Sequence, residues 1–371
     1  MTTLAALSLL IWLYLLLVHG RFWQYGPELA PARPLVAAPV AVVVPARDEA
    51  PLIGQSLRTL LAQDYAGPLR IIVVNDGSSD GTGAIARSIV DGRLDVLDGR
   101  PCPAGWSGKL WAVAQGIGEA KETELILLTD ADIVHDPRHI ATLVAQAERG
   151  GLDLVSEMVA LACDTPAEHA LVPAFVFFFQ LLYPFAWVND PLRATAAAAG
   201  GTILIRRRAL QRIGGVASVR GALIDDVALA AAVKRGGRIW LGHSGLACSV
   251  RAYPTVADVW SMVSRTAYVQ LRFSPLLLVG TVLAMALTFV LPPFAALFGH
   301  GPAQWFGWLA WGAMAAAYQP TLRRFHRSVL WAPFLAAVAA FYLAATIGAA
   351  VNHHFGRGVA WKGRAYQGAS T

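Results

Sequence analysis

Carboxylates at four turns offer the chemistry of this sequence. Asp130-Ala131-Asp132, the only D-x-D of the chain, follows an apolar run that ends at Thr129. Two carboxylates at a strand end repel unless a cation offsets them, and oxygen ligands of this kind suit Mg²⁺ or Mn²⁺. Such a metal bridges a diphosphate and offsets charge on a leaving group. Asp132 is the expected metal ligand, and Asp130 belongs to the donor side. Upstream, Val42–Glu49 and Val73–Thr82 each read as a strand passing into a polar turn, placing Pro45, Arg47, Glu49 and Asp76 at strand ends. Asp76 and Asp80 could face a ligand or simply turn the chain and cap the next helix. Downstream, Asp225-Asp226 open a helical run. A carboxylate there can take the proton of an attacking hydroxyl, which makes Asp226 the candidate general base, or it can cap the helix.

Glycine and basic residues accompany these turns. Gly105-Trp106-Ser107-Gly108-Lys109 places Lys109 at a helix start, where it meets a phosphate or is merely solvated. Gly200-Gly201 permit close backbone approach to a sugar, and the triplet Arg206-Arg207-Arg208 is expected to face phospholipid. In Gln270-Leu271-Arg272-Phe273 the planar fork of Arg272 is suited to a departing diphosphate, with Arg265 a second choice, although arginines just before Pro275 also suit a membrane flank.

The elements that must position these residues follow from periodicity. Short β-branched runs alternate with amphipathic stretches from Val40 to about Gly150, the pattern of βαβ units on a parallel sheet. Strands are predicted at Val40–Val44, Arg70–Val74, Leu94–Leu97 and Glu124–Thr129, with helices at Leu52–Gln63, Thr82–Val90, Lys109–Ala120 and Arg138–Glu148. A further strand is expected at Thr202–Ile205 and a helix at Asp226–Arg235. Ligands of such sheets bind where strands end in turns.

Of the 371 residues, 56% are apolar and 15% charged, so part of the chain belongs in lipid. Met1–Val18 carries no charged side chain and reads as an uncleaved anchor, against a cleaved signal peptide as the rival. Pro275–Phe298, Ala303–Tyr318 and Val329–Val351 approach the length of membrane helices. Arg323, Arg324 and Arg327 should face the cytoplasm, as should the region from Arg21 to Arg272. A full third crossing would put Arg357, Lys362 and Arg364 outside, so one segment is expected to be re-entrant or interfacial. The division is an anchor over 1–20, a cytoplasmic catalytic domain over 38–273, a membrane region over 274–352 and a basic tail over 353–371. Leu171–Val188, rich in Phe, reads either as a core helix or as an interfacial segment that meets a lipid substrate. The net charge of +6 forms no aromatic-interleaved stripe, which argues for anionic lipid and against nucleic acid. Cys102, Cys163 and Cys248 show no paired spacing, which argues against a zinc site or disulfide framework and suits a reducing compartment.

Val42–Glu49, Asn75–Thr82, Gly105–Ala112, the D-x-D, Gly200–Gly215, Asp225-Asp226 and Gln270–Phe273, in this order, resemble the elements of family 2 glycosyltransferases. With the flanking membrane segments they are similar to the hopene-associated branch of that family. The resemblance implies an α/β GT-A fold, a Rossmann-like mixed sheet with helices on both faces, together with terminal transmembrane helices. It further implies a metal-dependent, inverting transfer from a nucleoside diphosphate sugar, UDP-linked by expectation, to a lipid acceptor, hopanoid by the branch alone, at a bacterial-type inner membrane. By the same resemblance Asp76 presents a carboxylate to the base, Lys109 and Asp130 lie near the donor, and Gly200, Gly201 and Asp225 lie on the acceptor side. Two departures stand out: Asp225 replaces the usual Glu, and Phe273 replaces Trp while Gln270 sits one place late. Two rival classes are an NAD-type oxidoreductase, because Gly81-Thr82-Gly83-Ala84-Ile85-Ala86 formally fits G-x-G-x-x-G/A, and a transporter or scaffold built on the C-terminal helices.

Overall fold

In a computed structural model, residues 1–121 and 123–355 are described, together with the two-residue strands Ala360–Trp361 and Arg364–Ala365. Arg357, Lys362 and Gly363 of the basic tail lie outside the described residues. The chain forms two compact units.

The sheet unit comprises Pro27–Ala162 and Trp187–Arg251. Its strands are β1 (Val40–Ala46), β2 (Leu69–Asn75), β3 (Leu94–Asp98), β4 (Leu125–Thr129), β5 (Ile133–His135), β6 (Leu154–Ala160), β7 (Thr202–Arg206) and β8 (Ile239–Ser249), in the spatial order β3-β2-β1-β4-β7-β6-β8-β5. The first four are mutually parallel, β7 runs antiparallel to β4 and β6, and β8 is parallel to β6. Every residue of β1 and β4 is buried, as continuous apolar strands in a doubly covered sheet must be. Val42, Val44, Ile53, Leu57, Leu127 and Ile140 pack on one face, and Ala41, Ile72, Val74 and Ala112 on the other. Helix Gly108–Glu119 comes close enough to β1 that a Cβ on Gly116 would lie 2.4 Å from Val43 Cγ1.

The helical unit comprises Met1–Gly26, Cys163–Ala186 and the region from Ala252 to the helix ending at His354. Trp12, Phe22, Leu171, Phe177, Met314, Tyr318 and Leu335 share one core. Helix Thr2–Leu17 buries Ala5, Ser8, Trp12 and Leu15, a stripe at helical spacing, and Trp12 Nε1 donates to Thr288 O at 2.7 Å. Its 16 residues rise about 24 Å, short of a bilayer core of about 30 Å. Pro275–Phe298 and Val329–His354, with 24 and 26 residues, are long and apolar enough to cross. Helix Pro302–Arg324, which contains the expected Ala303–Tyr318 span, does not meet that standard because polar and charged residues dilute it. A π turn at Ala286–Val290 precedes Pro292 and Pro293, whose rings cannot continue the ordinary ladder.

The unit boundaries differ from the division expected from sequence, one domain over 38–273. Cys163–Ala186 and the chain from Ala252 join the helices. The physical reason is the Phe-rich helix Pro166–Leu182, whose apolar side chains find partners there: Phe177 packs edge-on to Tyr318, and Tyr342 OH donates to Leu171 O at 3.0 Å.

Candidate active site

Because β1, β2, β3 and β4 are parallel, their C-terminal ends share one edge, and the polar turns of the sequence gather there. Ala46 is paired with Asn75 and Val43 with Leu128, so Asp76, the Arg47–Glu49 turn and Asp130 all follow the last paired residues of neighbouring strands. Antiparallel β7 pairs Thr202 with Thr129 and thereby brings Gly200 and Gly201 beside Asp130. Asp130 N donates to Gly201 O at 3.4 Å, and Thr129 Oγ1 donates to the same carbonyl at 2.8 Å.

One cavity at this edge is lined by Pro45, Lys109, Asp130, Gly200, Asp225 and Asp226, among others. Lys109, in the first turn of helix Gly108–Glu119, is held by the Ser107 cap, whose side chain accepts from Leu110 N at 3.3 Å. Its Nζ lies 2.7 Å from Asp130 Oδ1. Lys109 is therefore not a solvated first-turn residue: burial acts to lower its pKa, but Asp130, Asp225 and Asp226 outweigh burial and hold it above the usual range. Burial raises Asp130, with Lys109 acting against it. A Cβ on Gly200 would lie 3.2 Å from Asp226 Oδ2 and 3.6 Å from Lys109 Nζ, so glycine is what lets the backbone come this near the carboxylate.

Asp225 and Asp226 occupy the first turn of helix Asp225–Lys234, but the N-cap is Ile224 and no side chain caps it. Asp226 Oδ1 accepts from Val227 N at 2.8 Å. Burial first, and then the charge of Asp225, push Asp226 up to about 7, while Lys109 and the Val227 and Gly200 amides pull it down. A carboxyl group so poised changes protonation near neutral pH, which an ordinary capping carboxylate does not.

Asp132 faces another cation. Arg251, just past β8, places Nε 2.6 Å from Asp132 Oδ2 and Nη2 2.5 and 2.7 Å from the two oxygens of Glu49. The D-x-D carboxylates thus have separate protein counterions, Lys109 and Arg251, and their repulsion alone does not demand a metal. Among the described residues no cluster of three or more potential ligands occurs. Mg²⁺ and Mn²⁺ nevertheless take as few as one or two protein carboxylates when phosphate and water complete the shell. Asp132 with Glu49 fits that arrangement; Asp130, turned to Lys109, does not share it.

At the ends of β1 and β2, Asp76 is 1% exposed and its N donates to Ala46 O at 2.8 Å. Arg47 Nη1 donates to Asp76 O at 2.6 Å and stands 3.8 Å from its carboxylate. Asp80 ties two turns together, its carboxylate accepting from Ala50 N at 2.9 Å and from Thr82 N at 3.0 Å. This carboxylate sits on the first turn of Thr82–Arg87, where a dinucleotide pyrophosphate would need those amides, so the oxidoreductase reading does not fit.

Other expected residues lie elsewhere. Arg272 follows helix Val256–Gln270 in the helical unit, with Arg272 and Phe273 at φ 51° and 54°, a left-handed turn whose Phe273 carbonyl accepts from Tyr268 OH at 2.8 Å. The arginine triplet makes contacts within the sheet unit: Arg206 meets Glu124 at 2.8 Å, Arg207 Nε donates to Thr123 O at 2.7 Å, and Arg208, largely exposed, lies 3.4 Å from Asp153. Sequence reasoning missed Arg251, which belongs to no motif. It also missed a buried chain behind the D-x-D, in which Thr129 Oγ1 lies 3.4 Å from His135 Nε2, the Nδ1 atoms of His135 and His139 are 2.9 Å apart, and His139 Nε2 is 2.5 Å from Glu157 Oε1. Three polar side chains dispersed over 135–157 give no periodic signal.

The mixed sheet has the GT-A form. Residues 41–214, a little under half of the chain, match the glycosyl transferase family 2 domain, which supports a family 2 glycosyltransferase. The 4,4'-diaponeurosporenoate glycosyltransferase of Staphylococcus aureus is 34% identical over 113 residues in strain bovine RF122 / ET3-1, covering 30% of this chain and 29% of that protein. In strain MRSA252 the figures are 37% over 94 residues, 25% and 24%. The chain thus matches less than a third of the length of these curated relatives. The mannosyltransferase PcManGT of Pyrobaculum calidifontis, solved with GDP-Man and Mn²⁺, has the same fold: TM-score 0.55, 21% identity, 95% of this chain and 99% of that one.

Proposed function

We propose that this protein is a membrane-bound, metal-dependent inverting glycosyltransferase that moves a sugar from a nucleoside diphosphate donor to a lipid acceptor. The observation that carries the reading is Asp226, poised near neutrality beside Gly200 and the Lys109–Asp130 pair. The acceptor hydroxyl gives its proton to Asp226 as its oxygen bonds to the anomeric carbon. The bond from that carbon to the diphosphate breaks with its electron pair leaving on phosphate, and the configuration inverts. Lys109 keeps Asp226 from rising further and holds Asp130 at the donor side. Asp132 would hold a Mg²⁺ or Mn²⁺ ion, which when bound would offset charge on the departing diphosphate. Asp76 and Arg47 bind the nucleoside end, with UDP the expected nucleotide.

Two helices long enough to cross a bilayer and a relative named for 4,4'-diaponeurosporenoate support an apolar acceptor at a membrane, and Arg323, Arg324 and Arg327 are the ground for placing the sheet unit on the cytoplasmic side. A hopanoid acceptor rests on the resemblance alone. Lipid extracts of cells with and without the gene, compared by mass spectrometry, test the class. The expected difference is a glycolipid lost with the gene and restored by purified protein with one nucleotide sugar. Identical extracts, with no donor turned over in a screen, would reject it.

A further inference from the structure

Arg251 binds the carboxylates that a divalent metal would need. Its backbone is fastened beside Asp132 by the Val250 N to Asp132 O hydrogen bond of 2.9 Å, and its guanidinium spans Asp132 and both oxygens of Glu49. The two carboxylate side chains are 12% and 10% exposed, whereas the guanidinium side chain that joins them retains 30%. A cation entering from solvent must therefore displace a bidentate, charge-assisted contact.

Resting on the glycosyltransferase reading, we propose that Arg251 is an internal counterion that excludes the metal until a nucleoside diphosphate arrives. Phosphate is the natural second partner of an arginine fork. When the diphosphate takes the guanidinium, Asp132 and Glu49 are released to the metal, which the same phosphates complete. Metal and nucleotide then bind together, each raising the affinity of the other by an equal factor, as linkage requires.

Mn²⁺ binding, followed through the paramagnetic resonance signal of the free ion, tests this without any turnover. Wild-type protein is titrated alone and with UDP or GDP, and so is Arg251→Gln. Wild type should bind Mn²⁺ about tenfold or more tightly with a nucleotide than without, a coupling of ordinary size. Arg251→Gln should bind Mn²⁺ more tightly than wild type in the absence of nucleotide and lose most of that dependence. Arg251→Lys, which keeps the charge but not the fork, should lie between them and serves if the glutamine variant does not fold. Equal Mn²⁺ affinity in wild type with and without nucleotide, or no gain in nucleotide-free affinity in either variant, overturns the proposal while leaving the transferase reading intact. Absence of Mn²⁺ binding to wild type even with nucleotide removes the metal from both.

Discussion

Asp226 owes its raised pKa to burial and to Asp225, and the sign of that shift makes two predictions. A general base works only when ionised, so kcat/KM should rise with pH through about 7 and level off above it. A profile flat from pH 5 to 9, or one that falls over that range, would contradict the role. Asp226→Asn should lower transfer by about 10²–10⁴-fold while nucleotide binding persists. Folding is affected as well. The unfolded carboxyl ionises near its ordinary value of 3.8 and the folded one near 7, so wild-type stability contributed by this group is full below the lower value and is lost as pH rises towards the upper. Asp226→Asn should therefore raise Tm relative to wild type at pH 8, with the gain vanishing at low pH; an equal Tm difference at every pH would show that burial does not set this pKa. Gly200→Ala probes the same spot from the other side. Its methyl would press on Asp226 Oδ2 at 3.2 Å, so transfer should fall by about tenfold with little loss of Tm, because the carboxylate and not the backbone must give way. The placement of Asp130 and Asp132 after a strand and of Asp226 in the first turn of a helix was legible from residue type and order. Their partners were not: a lysine at a helix start reads as solvated until β4 is placed beside it, and Arg251 stands 119 positions from Asp132.

At the scale of elements, the first half of the sheet was legible because β1, β2 and β4 hold apolar runs at Val40–Val44, Ile71–Val74 and Leu125–Leu128, and short β3 keeps Leu94, Val96 and Leu97 around Asp95, each followed by a polar turn. β6 and β8 were not, since Ser156 and Glu157 interrupt the first and Gly242, His243 and Ser244 the second, and their burial rests on partners that no local pattern reveals. Glu157 and His139 are both fully buried, and Glu157→Ala should cost about 3–5 kcal/mol by leaving the imidazole without its partner. Denaturant unfolding measures this, and a loss under about 1 kcal/mol would mean that the pair is dispensable to the fold. Packing of helix Gly108–Glu119 on β1 gives a second check. Gly116→Ala forces a methyl into Val43 and should destabilise by about 1–3 kcal/mol, read as a lower denaturant midpoint with unchanged slope.

Across the whole molecule, hydropathy identified the regions that leave the sheet but not how they group. The N-terminal apolar run, read as a lone anchor, is a short helix packed through Trp12 into the same core as Phe177 and Tyr318. The Phe-rich segment belongs to that core too, so Cys163–Ala186 groups with the helices although it lies within the stretch 38–273 in sequence. With two candidate spanning helices, the intact protein should remain with membranes through alkaline carbonate washing and come away only with detergent. Release by carbonate alone would argue that these helices are merely the core of a peripheral protein.

The most direct measurement supplies purified protein with radiolabelled nucleotide sugars, Mn²⁺ and a lipid extract, and follows label into the organic phase for wild type and Asp226→Asn side by side. Wild type should transfer label and the variant should not, although both bind the nucleotide. Transfer by Asp226→Asn at the wild-type rate would contradict the assignment of the proton acceptor and, with it, the mechanism proposed for this edge of the sheet.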